Sequence, residues 1–104
     1  VKIDRDTTWS STTEIREIHL TDGPVVDATS VYAAGTRMQV TSARIVVSTG
    51  GGGEWKAYVH GFKIKQDGTP GRVDLSLSYY ALHNAPDWLR EIARAADEAA
   101  GVEA

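Results

Sequence analysis

Three histidines, His19, His60 and His83, are the first residues that could do chemistry, since imidazole is both a metal ligand and a proton carrier near neutral pH. They fall on three different segments, and no HxH or HxxxH pair joins any two of them. The spacing therefore assigns no metal site, and the three read as ordinary, partly exposed histidines. The chain has no cysteine, which removes thiolate catalysis, Cys-type zinc sites and disulfides together. Serine and threonine are plentiful, yet no GxSxG elbow and no Ser-x-x-Lys pair occurs. The carboxylate pairs Asp4/Asp6 and Asp97/Glu98 lie in end segments expected to be exposed, where acid–base work lacks a pocket. The run "STGGGGE" shares only its glycines with a phosphate-binding loop: it has no Gly-Lys-Ser/Thr ending and leads into a strand, not a helix. It reads as a hairpin tip that could serve as a flap. No catalytic residue, metal or cofactor is expected, and the chain is read as a non-enzyme.

One constellation points instead to binding. The segment "EWKAYVHGFKIK" places Trp55, Ala57 and Val59 on one face of a strand, while Phe62 and Ile64 have the opposite parity. A bulge near Gly61 would return all five to the core and turn Lys56, Tyr58, His60, Lys63 and Lys65 outward. A neighbouring strand would add Ser76, Ser78 and Tyr80 to that face, with Arg37 and Arg44 nearby. Aromatic rings between cations on an open sheet suit single-stranded nucleic acid, because bases stack on rings and phosphates meet Lys and Arg. The same residue types also populate ordinary solvated strands, and tyrosine is enriched at protein interfaces.

The elements that must hold these residues are legible to different degrees. "NAPDWLREIARAADEAA" sets Leu89, Ile92, Ala93, Ala96 and Ala100 on one stripe, predicting a helix over 86–100. Asn84 supplies a cap, Pro86 and Asp87 suit the first turn, and Gly101 ends it. "GRVDLSLSYY" alternates Val73, Leu75, Leu77 and Tyr79 against Asp74, Ser76, Ser78 and Tyr80, as a half-buried antiparallel strand does. In "GTRMQVTSARIVVST", Met38 and Val40 are out of phase with Ala43, Ile45 and Val47, which calls for a second bulge near Thr41 and Ser42. "EIREIHLTDGPVVDATSVY" predicts a hairpin turning at Asp22-Gly23-Pro24; the alternative is a short helix, since Ser11 to Glu14 fits a capping box. Trp55 and Trp88 belong to a helix-on-sheet core, and Trp9 is either an anchor of the N-terminal segment or an exposed contact.

These elements make an α+β domain: an antiparallel β-meander of about five strands with one C-terminal α-helix packed on one face. At 104 residues the chain is one domain, 1–104, with 1–12 as a flexible N-terminal segment. No apolar run is of membrane-spanning or signal-peptide length, so a cytoplasmic protein with no membrane partner is the default. The net charge of −3 argues against coating duplex DNA by charge alone. That charge is uneven: residues 28–66 carry Arg37, Arg44, Lys56, Lys63 and Lys65 against Glu54 alone, between two acidic ends.

In element order, several antiparallel strands and then one helix, the chain is similar to the repeat unit of Whirly-type and PUR-type single-strand binders. The ending "GTPGRVDLSLSYYALHNAPDWLREIARAA" resembles the ends of small uncharacterised phage and actinobacterial proteins, and the alanine-rich composition fits such a source. The first likeness implies a single-stranded nucleic-acid partner; the second implies no activity. The expected function is a small non-enzymatic binding module acting through an open sheet face. Its partner would be a protein or a second copy of itself, with single-stranded nucleic acid as the alternative.

Overall fold

A computed structural model describes residues 2–10, 12–48, 54–99 and 101. These residues form one antiparallel sheet of β1 (Lys2–Ser10), β2 (Thr13–Thr21), β3 (Val25–Asp27), β4 (Arg37–Ser48), β5 (Trp55–Ile64) and β6 (Pro70–Tyr79), followed by helix α1 (Asp87–Ala99). The strand order is β1-β2-β4-β5-β6, with β3 also paired to β4. The meander and C-terminal helix expected from sequence are thus present. Residues 2–10, within the segment read as flexible, are edge strand β1, and the stretch that a capping box would have opened as a short helix is instead strand β2. The glycine run at 50–53 lies outside the described residues.

The turn at Asp22-Gly23-Pro24 does not make the predicted hairpin. β2 and β3 both run antiparallel to the same strand, β4, as Ile18 pairs with Ala43 and Val26 with Met38. The chain steps aside at Asp22 (φ 56°) and rejoins the same line, where the Val40 N–H donates to the Pro24 carbonyl at 2.9 Å. Aspartate tolerates that left-handed backbone, and Gly23 sits where a Cβ would run into the Val40 carbonyl oxygen. Burial explains the choice: Val26 and Ala28 are both in the core. A hairpin back along β2 would remove them from Met38.

The core lies between one face of the sheet and α1. Ile18, Ala43, Ile45, Ala57, Val59 and Leu77 come from the strands, and Leu89, Ile92 and Ala96 from the helix. Helix bounds agree with the apolar stripe, and Gly101 (φ 72°) follows it in the left-handed conformation that glycine adopts most readily. Asn84 does not cap α1; it closes a short 3-10 turn, Leu82–Asn84. Trp88 is half-buried, edge-on to Tyr79 with ring centroids 6.3 Å apart. Burial raises the Tyr79 phenol above its ordinary pKa. Trp55 packs against the core and Trp9 is 61% exposed.

Two ties close this layer. The Arg5 guanidinium, almost wholly buried on β1, pairs with Asp97 of α1 and lies 3.5 Å from Glu14 of β2. Between β3 and β4 the segment 28–36 crosses the core, and Tyr32 reaches β6. Its hydroxyl accepts from the Ser76 N–H at 3.0 Å and donates to the Ser76 carbonyl at 3.2 Å.

Candidate binding face

β4 contains the bulge predicted near Thr41 and Ser42. Val40 pairs with Gly61 and Ser42 with His60, leaving Thr41 as the extra residue. Met38 and Val40 on one side of it, and Ala43 and Ile45 on the other, therefore all face the core. The bulge presses β4 toward β5: a Cβ on Gly61 would strike the Gln39 carbonyl oxygen. Glycine at 61 is thus required opposite a bulge, not within one.

The predicted bulge in β5 is absent. His60, Gly61 and Phe62 pair in unbroken register with Ser76, Leu75 and Asp74 of β6. Parity therefore carries through Gly61, and Phe62 follows Tyr58 and His60 onto the open face. Lys63 instead pairs with Met38, on the side of Ala57 and Val59. The pairing with β6 breaks only between Phe62 and Ile64, which leaves Val73 58% exposed and out of the core stripe expected for it. Lys63 and Lys65 line a different hollow, of about 340 Å³, with Arg72. Arg37 is exposed at the start of β4, next to Lys63's partner Met38, and pairs with Asp27.

The remaining predicted residues come together, and the sheet register arranges them in transverse rows. One row runs Asp4, His19, Ser42, His60, Ser76 across β1, β2, β4, β5 and β6. The next runs Asp6, Glu17, Arg44, Tyr58, Ser78. Lys56 lies one row further along, paired with Val46. The middle of these two rows lines a concave trough of about 530 Å³, walled by Glu17, His19, Ser42, Arg44, Tyr58, His60, Ser76 and Ser78. Tyr80 reaches this face through Tyr58, the two rings edge to face with centroids 6.5 Å apart. Arg44 donates to Glu17 at 2.6 Å, which offsets the repulsion between Glu17 and the facing Asp6.

His19, Glu17 and the β1 carboxylates were not assigned to this face from sequence. Their signal was the alternation of "TEIREIHLT", but only the register of β2 against β4 places them beside Tyr58 and His60. Their arrival changes the electrostatics. Asp4, Asp6 and Glu17 give one flank negative charge, while Lys56 stands on the other and Arg44 is engaged between them. Among the described residues, no three His, Cys, Asp or Glu side chains are grouped to hold a metal ion, and no helix is long and apolar enough to cross a membrane. No family model matches the chain, and no curated protein or solved structure matches it.

Proposed function

We propose that this protein is a small non-enzymatic binding module that receives a segment of a protein partner in the trough on the open face of its sheet. The observation that carries the reading is the trough itself. Helix α1 and the core occupy one face, while the opposite face is concave and lined by hydroxyl, imidazole, guanidinium, carboxylate and phenol groups. Such a surface offers many hydrogen-bonding groups to an extended polypeptide, and Tyr58 with Tyr80 supplies a rigid apolar contact. Single-stranded nucleic acid fits less well. Its phosphates would meet Asp4 and Asp6, Arg44 and Glu17 are already paired with each other, and Lys63 and Lys65 line the other hollow.

Two titrations test this. Peptides selected from a random display library should bind with the backbone shifts of Ser42, Tyr58 and Ser76 as the NMR signature. Binding should be lost in Ser42→Tyr, which fills the trough, and kept in Lys63→Glu. A short single-stranded oligonucleotide should leave tyrosine and tryptophan fluorescence unchanged at low salt. Salt-sensitive quenching that disappears in the Tyr58→Ala, Tyr80→Ala double variant would overturn the protein-partner reading in favour of nucleic acid.

A further inference from the structure

The row that crosses the trough holds two imidazoles which the sequence keeps far apart. His19 and His60 are both paired with Ser42, one from each side of β4. Their backbones are therefore two strand spacings apart, about 10 Å, on the same face of a concave surface. The only residue between them is a serine, small enough to leave the space above it open. Both imidazoles are exposed, and neither makes a hydrogen bond or ion pair among the described residues.

We propose that His19 and His60 form a site for a divalent transition-metal cation of the zinc, nickel and copper class, held above Ser42. Imidazole is the ligand type these ions share, and facing side chains from alternate strands of a concave sheet can close on one ion at the usual metal–nitrogen distance of about 2.0–2.1 Å. The surroundings favour a cation. Asp4 stands opposite His19 on β1 and puts a carboxylate on the same face as the pair. Asp6 adds negative charge in the neighbouring row, where Glu17 and Arg44 neutralise each other. With two protein ligands the ion keeps open positions, so a donor atom from a molecule lying in the trough could complete its coordination. This site goes beyond the protein-partner reading and does not depend on it.

The test is calorimetric titration of the whole chain with zinc chloride near pH 7.5. One equivalent should bind. His19→Ala and His60→Ala should each weaken binding at least tenfold, Asp4→Asn should weaken it less, and His83→Ala should leave it unchanged. Affinity should fall in acid, because protons compete with the metal for the same nitrogens. In the unmodified protein, added Cu²⁺ should broaden the ring-proton NMR signals of His19 and His60 together and leave those of His83 sharp. The proposal is overturned if zinc does not bind, if either histidine can be removed without loss of affinity, or if Cu²⁺ broadens only one of the two.

Discussion

Gly61 and Glu14 each do something their residue type does not announce. The backbone of β4 at Gln39 lies so close to Gly61 that any side chain there must push the two strands apart. Gly61→Ala should therefore lower stability by about 1–3 kcal/mol, read as a denaturation midpoint shift with little change in slope. Glu14 sits buried at the start of β2 with its carboxylate on Arg16 and near Arg5. The hydrogen bond from Arg16 is the main cause holding its pKa below the ordinary glutamate value, and burial opposes it. A pKa depressed by folding contributes stability above the unfolded value of about 4.3 and loses it as pH falls through the folded one. Melting curves of the wild type and Glu14→Gln should thus lie furthest apart near neutrality and converge in acid. A constant gap down to pH 2 would show that Glu14 acts by packing alone.

At the scale of elements, Thr41 governs which way β4 faces. Deleting Thr41 removes the extra residue, so either Met38 and Val40 or Ala43 and Ile45 must leave the core. The variant should lose cooperative unfolding and near-ultraviolet dichroism; a native-like spectrum would mean that the sheet can take up the slip elsewhere. Tyr32 guards the outer edge of β6, and Tyr32→Phe should cost about 1 kcal/mol while exposing the Ser76 amide to exchange. Much of this level was legible in the residues. Period-3.6 spacing gave α1 to within a residue at each end, and the phase slip between Val40 and Ala43 located the one bulge that β4 needs. The second phase slip misled, because alternation cannot distinguish an inserted residue from an apolar side chain buried on the far side. Phe62 is half-buried and Ile64 buried without any shift at Gly61. Asp22-Gly23-Pro24 misled for a related reason: turn residues announce a change of direction, not which strand the chain will next pair with. The two-row binding face was half legible, since Tyr58 and His60 follow from parity, whereas their neighbours Glu17 and His19 follow only from pairing across β4.

For the whole molecule, the decisive arrangement is a sheet with its helix and its main core on one side. α1 spans from Trp88, against Tyr79 of β6, to Asp97, against Arg5 of β1, so a single helix reaches both edges. Leu89 is fully buried in its first turn, and Leu89→Ala should cost about 2–5 kcal/mol in thermal or urea unfolding. Asp97→Ala should cost on the order of 1 kcal/mol, and a double-mutant cycle with Arg5→Met should return coupling of similar size. Additive losses would mean that the ion pair contributes nothing and that packing alone holds the helix. None of these three substitutions lies on the trough, so all three should leave its lining in place.

The ion pair between Arg5 and Asp97 also joins positions 92 residues apart. On a ribosome, Arg5 emerges well before its helical partner, so among the described residues β1 first has Glu14 of β2 to neutralise it. Until α1 arrives the nascent sheet therefore has one provisional border, which the helix then makes permanent.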